Sequence, residues 1–122
     1  MSTRGIRGAI TVEANEEKLI LDATIVLLGE IVAQNGCKPE DIACVWVTVT
    51  QDLDATFPAR AIRQMAGWEL VPLMCSLEIP VKGSLERCVR LMVLVNTEAT
   101  QADIHHVYLG GAQALRPDLS GK

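Results

Sequence analysis

The sequence contains no apolar run that approaches the roughly 18 residues needed to cross a bilayer, although 49% of its 122 residues are hydrophobic. This absence argues against a membrane-spanning helix. A chain of this length buries one core, so we predict a single domain over residues 1–122. The first residues, MSTRGIRGAITVE, lack the apolar segment and the small-residue cleavage site of a signal peptide. We therefore expect a cytoplasmic location.

Paired metal ligands are also missing from the sequence. Its four cysteines are Cys37, Cys44, Cys75 and Cys88. None belongs to a C-x-x-C pair and all lie in apolar stretches, which argues against disulfides and against zinc. The two histidines, His105 and His106, are neighbours, and on a strand they would point to opposite faces. We therefore expect no metal site and no cofactor.

Basic residues are fewer than acidic ones, 11 against 15, which gives a net charge of -4. This balance argues against a nucleic-acid partner, whose phosphates require a basic surface. Seven of the eleven cations are nevertheless arginines. A guanidinium holds a carboxylate in two-point contact, so the bias suggests a small anionic ligand. Surface solubility and ion pairing are the other interpretation, and composition alone favours it.

The first half of the chain alternates between strand and helix patterns. Residues 5–12 predict a strand in which Gly5 and Gly8 allow close backbone approach. Apolar residues at helical spacing predict one long helix, capped by Asn15 and ended by Gly36. Residues 42–50 alternate valines with other residues and predict a central strand packed on both sides.

The second half predicts a short helix and further strands. Pro58 can open that helix and Gly67 can close it. Residues 71–79 and 87–96 flank a turn and predict an antiparallel hairpin. Thr100 can cap a helical turn, 105–109 predict a last strand, and the tail from Gly110 is predicted to be irregular or briefly helical. The fold class is therefore α+β, a small mixed or antiparallel sheet with one long and one short helix.

Arg90 stands within a strand that is otherwise apolar on both faces. Burying an unpaired guanidinium costs several kcal/mol, so Arg90 must meet an anion. Glu78 is the obvious internal partner, and both a structural ion pair and a ligand-binding role remain open. The predicted hairpin puts Cys75 opposite Arg90 and Glu78 on the other face, so a shared site would need a bulge or a strand end near Pro80.

Arg60 and Arg63 form a second arginine pair. They are three residues apart on the predicted short helix and share a face. Two like charges then lie close together unless an anion is in front of them. Two solvated arginines are the simpler interpretation, and on this evidence alone it is preferred.

Seven motifs lie along the chain in one order, and they resemble a known family. They are RGIRGAITVE at 4–13, DLDATFPARAIR at 52–63, GW at 67–68, CSLE at 75–78, CVR at 88–90, HVYL at 106–109 and LRPDL at 115–119. Together they resemble the AroH-class monofunctional chorismate mutases across essentially the whole chain. Each motif alone is weak, whereas the combination is specific.

The resemblance implies an isomerase that rearranges chorismate to prephenate in phenylalanine and tyrosine biosynthesis, without metal or cofactor. It implies a homotrimer of α+β subunits, ferredoxin-like or chorismate mutase-like, whose sheets pack into a barrel-like core, a pseudo α/β-barrel. Three active sites are expected in clefts between neighbouring subunits, because a small domain has little interior for a polar pocket.

The resemblance also implies a set of site residues. One wall is expected to consist of Arg7, Cys75, Glu78, Arg90, Tyr108 and Leu115. A second group completes the pocket, namely Phe57, Arg60, Arg63, Leu73 and Met74. Arg116 is expected in a tail that closes over it. The family often has lysine at position 60 and threonine at position 74, so those two contacts differ here.

The roles that follow from the resemblance are electrostatic. Arg90 is expected to donate to the breaking ether oxygen, and Arg7 with Tyr108 to fix the enolpyruvyl carboxylate. Glu78 and Cys75 would contact the ring hydroxyl. Arg63 and Arg116 would steer the dianion and close the entrance. No proton has to move, so a missing acid-base pair agrees with this chemistry.

Two other functions use a similar arrangement of interface arginines. One is a trimeric module that binds a carboxylated metabolite without converting it. The other is a trimeric imine deaminase of the RidA type, although the further motifs of that family are missing. Charge alone does not exclude the first of these.

Overall fold

The structure, a computed structural model, describes residues 1–115. Within them the chain forms strands and helices in the order β1 (Ser2–Thr11), α1 (Glu17–Asn35), β2 (Ile42–Val49), α2 (Ala59–Arg63), β3 (Leu73–Leu77), β4 (Cys88–Thr97) and β5 (Val107–Leu109). Short 3-10 helices span Pro39–Asp41, Gln101–Asp103 and Gly110–Ala114. Arg116 and residues 117–122, the last part of the predicted tail, lie outside the described residues.

The five strands form one mixed sheet in the order β3-β2-β4-β1-β5. The middle strand, β4, is antiparallel to both β1 and β2, while β2 pairs in parallel with β3 and β1 in parallel with β5. β1, α1 and β2 therefore form a split β-α-β unit with β4 inserted, as in ferredoxin-like chains. The predicted α+β class with a mixed sheet is confirmed.

The predicted hairpin between 71–79 and 87–96 is wrong. β3 and β4 are consecutive strands, but β2 lies between them and pairs with both. Cys75 consequently lies beside Val47, while Arg90 lies beside Thr48. The ten residues between β3 and β4 are long enough to carry the chain across a strand, so a tight turn is not required.

Both helices cover one face of the sheet and form the core with it. Ile20, Leu27, Leu28 and Ile31 of α1 are fully buried against strand residues such as Val47. Removing this apolar surface from water is the main favourable term in folding. Gly8 permits the close contact, because a Cβ there would lie 2.7 Å from Cδ1 of Ile31. The predicted use of this glycine is confirmed.

The opposite face of the sheet is only partly covered. Along β2, Val45, Val47 and Val49 are buried, but Trp46 on the other face is 48% exposed. The prediction that this strand is packed on both sides is therefore wrong for the single chain. We call this surface the open face, and it carries the odd-numbered residues of β1 and the even-numbered residues of β3, of β4 and of β2 from Cys44 onward.

The helix boundaries differ from prediction at the start of α1 and at the end of α2. α1 begins after Glu16, not Asn15, because the Asn15 side chain instead accepts hydrogen bonds from the backbone N–H groups of Asp54 and Ala55, at 3.0 Å each. The predicted stop at Gly36 is confirmed by its φ of 64°. α2 is shorter than predicted and ends at Arg63, four residues before Gly67.

The last described segments agree with the predicted pattern. Thr100 forms a capping box with Asp103 at the start of a 3-10 helix. β5 begins at Val107, so both histidines precede it, and a 3-10 helix starts at Gly110. None of the described helices is both long and apolar enough to cross a membrane.

Candidate active site

A cavity of about 370 Å³ lies on the open face. Five of the residues predicted for one wall meet in it. They are Arg7, Glu78, Arg90, Tyr108 and Leu115. They come from three strands and from the chain just after β3 and after the last 3-10 helix. Residues far apart in sequence therefore line one concave surface, as expected for a ligand site.

Arg90 is held in the middle of the sheet. Its paired residues on the two flanking strands are Ala9 of β1 and Thr48 of β2. Its Nε lies 3.7 Å from Oε2 of Glu78, which is an ion pair but too long for a hydrogen bond. This Nε is buried and has no hydrogen-bond partner within residues 1–115. A buried guanidinium donor without an acceptor is costly, so the site is prepared for an added anion.

Glu78 lies one residue beyond β3, where its backbone N–H donates to the carbonyl of Val49 at 2.9 Å. Its Oε2 accepts a hydrogen bond from the hydroxyl of Thr48. The side chains of Glu78 and Arg90 are 25% and 31% exposed, so both reach the cavity from a sheltered position. The ion pair expected from the burial of Arg90 is therefore present, and its N···O distance of 3.7 Å is longer than a hydrogen bond.

Tyr108 and Arg7 complete the polar lining. The Tyr108 side chain packs in a small cluster with Ala9, Cys88 and Ala112, and its buried hydroxyl has no hydrogen-bond partner in the described part of the chain. The backbone N–H of Arg7 donates to Nδ1 of His106 at 2.9 Å. The cavity thus offers two guanidinium groups and a phenol against one carboxylate, which suits a ligand with more than one negative charge.

The second predicted group lies elsewhere in the chain. Phe57, Arg60 and Cys75 line a separate cavity of about 530 Å³ beside β3. Phe57 is 68% exposed. Nη1 of Arg60 lies 2.5 Å from Oε1 of Glu17 and 2.8 Å from Oγ1 of Thr56. Within one chain, Arg60 therefore has an internal acidic partner.

Three of the predicted residues have other surroundings. Leu73 is half-buried and packs against the main core. Met74 is 60% exposed, and Arg63 is exposed at the end of α2. None of the three lines the cavity around Arg90.

The predicted grouping of Cys75 with Arg90 is wrong for the single chain. Cys75 pairs with Val47 and packs against the helix-side core, whereas Arg90 faces the other way. Successive residues of a strand alternate between faces, so the correct position of β3 puts Cys75 and Glu78 at different surfaces without any bulge. Cys75 belongs with the group that includes Phe57 and Arg60.

The cavity also contains residues that were not proposed for the site from the sequence, among them Trp46, Thr48 and Met92. The period of two in residues 42–49 already places Trp46 and Thr48 on one face. The sequence pattern predicts that this face is covered by the core, so from sequence alone Trp46 and Thr48 are expected to be buried core residues and not site residues. The exposed side of β2 is what makes them part of the site.

The cysteines of the described chain are free. Burial raises the pKa of the thiols of Cys37 and Cys88, which keeps them protonated and poor nucleophiles. No group of three or more metal-ligating side chains occurs among residues 1–115. The described side chains that converge on the cavity around Arg90 are those of an electrostatic site.

Comparisons with known proteins agree on one family. Residues 3–119 match the family model for chorismate mutase type I. The chain is 48% identical over 120 residues to chorismate mutase AroH of Bacillus subtilis (strain 168), covering 98% of this chain and 94% of that protein. It is 49% identical over 117 residues to chorismate mutase AroH of Thermus thermophilus, with 95% of each covered. A solved structure of a chorismate mutase from Clostridium thermocellum is 50% identical, with a TM-score of 0.88, 91% of this chain covered and 98% of that chain.

Proposed function

The chain belongs to the type I chorismate mutase family and is an isomerase that converts chorismate to prephenate, and we propose that it does so by electrostatic stabilisation centred on Arg90. The family match does not favour the alternatives of a non-converting carboxylate binder or an imine deaminase. The reaction is a concerted intramolecular shift. Negative charge grows on the ether oxygen and the enolpyruvyl fragment, while the ring becomes more positive.

One observation carries this assignment, namely the buried Nε of Arg90 that lacks a hydrogen-bond acceptor in the described chain. A fixed donor in a sheltered site stabilises charge that develops in the transition state, because no solvent has to reorganise. The bound substrate would present its ether oxygen and one carboxylate to this guanidinium. The Glu78 carboxylate would then face the ring and complement its positive charge.

Arg7 and Tyr108 are proposed to hold the enolpyruvyl carboxylate. Both line the same cavity as Arg90, and the hydroxyl of Tyr108 is buried without a partner among residues 1–115. Two-point contact with that carboxylate would keep chorismate in its folded, reactive conformer. This contribution is entropic, because the enolpyruvyl group of chorismate loses its rotational freedom on binding, before the ether bond breaks.

Replacing Tyr108 with phenylalanine tests this role. The hydroxyl makes no hydrogen bond within the described chain, so we expect the thermal midpoint to stay the same or rise slightly. The KM for chorismate should rise by at least about tenfold, because the loss of one hydrogen bond to a charged group costs about 1.5–3 kcal/mol. Steady-state kinetics and a thermal scan measure the two effects. An unchanged KM would refute the binding role, and a marked loss of stability would show that the hydroxyl serves the fold.

We further propose that the enzyme is a homotrimer with an active site between each pair of neighbours. The open face exposes large apolar side chains, including Trp46, Met74 and Met92. Contiguous exposed apolar surface indicates an interface. The group of Phe57, Arg60 and Cys75 and the exposed Arg63 lie away from the cavity around Arg90 in their own chain, and in a cyclic assembly they would complete the cavity of a neighbour. By its resemblance, Arg116 would help to close the entrance.

Subunit complementation tests the shared site. Arg90→Ala and Arg63→Ala remove groups that, in this arrangement, two different subunits contribute to each cleft. Co-expression of these two impaired variants should produce mixed trimers in which about a quarter of the clefts contain both native arginines. We expect chorismate mutase activity to reappear in the purified mixture.

The matched control combines Arg90→Ala with Glu78→Ala. These residues line one cavity of one chain, so no mixed cleft regains both and activity should stay low. Recovery in this control, no recovery in the first mixture, or a monomer by light scattering would each refute the shared cleft.

A further inference from the structure

The geometry points to Thr48 as a positioning residue: we propose that its hydroxyl holds the Glu78 carboxylate so that the Arg90 guanidinium stays available to the substrate. Thr48 lines the cavity, between Arg90 on β4 and Ser76 on β3 in the register of the sheet. The inference rests on the roles of Glu78 and Arg90 proposed above, and it adds a role for Thr48.

Glu78 needs such a restraint because it lies past the last residue of β3. Adjacent residues of β2 hold it at two points. The carbonyl of Val49 accepts its backbone N–H at 2.9 Å, and the hydroxyl of Thr48 donates to its side chain. Threonine is stiff at χ1, so its hydroxyl keeps one direction on a strand. The carboxylate is thereby fixed relative to β2.

The hydrogen bond makes the two oxygens of Glu78 different. Oε2 accepts from Thr48 and lies 3.7 Å from Nε of Arg90. Oε1 accepts no hydrogen bond from residues 1–115. It is therefore free to accept a hydrogen bond from the substrate, for which the ring hydroxyl is the natural donor.

Thr48 also limits how closely Arg90 can pair with Glu78. Left to themselves, a guanidinium and a carboxylate form a two-point pair with N···O distances near 2.8 Å. Here Oε2 is already engaged by Thr48, and Nε of Arg90 stays outside hydrogen-bond range and without an acceptor in the described chain. A closed pair would satisfy Arg90 internally and weaken its bond to the ether oxygen. The hydroxyl thus keeps the catalytic donor unsatisfied.

Three substitutions test the proposal. Thr48→Val keeps the shape and removes the donor, and it should lower kcat about tenfold with KM changed by less than about twofold. Thr48→Ser restores the hydroxyl and should recover kcat to within about threefold of the native value. Thr3→Val is the control, because it also removes a side-chain hydrogen bond from a strand, 2.7 Å to Asn96, outside this cavity. It should leave kcat unchanged, and all three should keep the native thermal midpoint.

A double-mutant cycle with Glu78→Ala separates the roles. If Thr48 acts through Glu78, Thr48→Val should change kcat by less than about twofold once the carboxylate is gone. An equal loss in both backgrounds, a loss that serine does not repair, or native kcat in Thr48→Val would overturn the proposal. A native kcat in Glu78→Ala would refute the roles of both Glu78 and Thr48. A lower kcat in Glu78→Ala together with a native kcat in Thr48→Val would refute the role of Thr48 alone.

Discussion

Replacing Arg90 with citrulline, its neutral isostere, is expected to lower kcat at least about a hundredfold. The substitution keeps the shape and most donors of the side chain and removes only its charge. The hundredfold effect should appear in kcat, because the charge on the ether oxygen develops only in the transition state, while loss of the contact to the carboxylate should raise KM. The loss of chorismate absorbance in the ultraviolet, followed at saturating substrate, measures it.

Arg90→Lys separates charge from geometry in the same assay. Lysine keeps a cation but presents a point charge on a flexible stem, so the fixed donor beside the ether oxygen is lost. We expect a decrease of at least about a hundredfold here as well, with the oligomeric state unchanged by light scattering. Near-native turnover in either variant would mean that another group is the principal catalyst.

Glu78→Ala is expected to have the next largest effect, a decrease of roughly a hundredfold in kcat. The substitution removes the negative charge that faces the ring and also the anion that orients the guanidinium at 3.7 Å. Glu78→Gln keeps the shape without the charge and should recover little, whereas Glu78→Asp should recover part of it.

Glu98→Gln is the matched control for this series. Its side chain is 80% exposed and, within residues 1–115, forms an ion pair with the amino group of Met1, so the same loss of charge there should leave kcat unchanged. Full activity in Glu78→Gln would show that shape and not charge matters at this position.

The local elements could be predicted from the sequence because their signals are local. The helix stop at Gly36 depends on a residue that tolerates the left-handed conformation, and the alternation of β2 and β4 appears within each strand. The pairing of strands could not be predicted in the same way. A hairpin between β3 and β4 follows from the tendency of consecutive strands to be neighbours, but β2 lies between them.

The ionic centre of the site could be predicted from energetics alone. A guanidinium within an apolar strand requires an anion, and Glu78 is the residue that approaches Arg90. The other residues of the site, such as Arg7 and Tyr108, could be predicted only from the family resemblance, because no periodic pattern in the sequence connects them to β4. Thr48 was missed because its strand was expected to be covered on both faces, and the exposed side of a sheet is a property of tertiary structure.

The most direct measurement is a crystal structure of the enzyme with a dicarboxylate that mimics the bicyclic transition state. The account predicts a guanidinium N–H of Arg90 within about 3 Å of the bridging ether oxygen, in a cleft that also contains Phe57 and Arg63 of an adjacent subunit. An ether oxygen that faces solvent, or an Arg90 closed onto Glu78 without contact to the ligand, would contradict it.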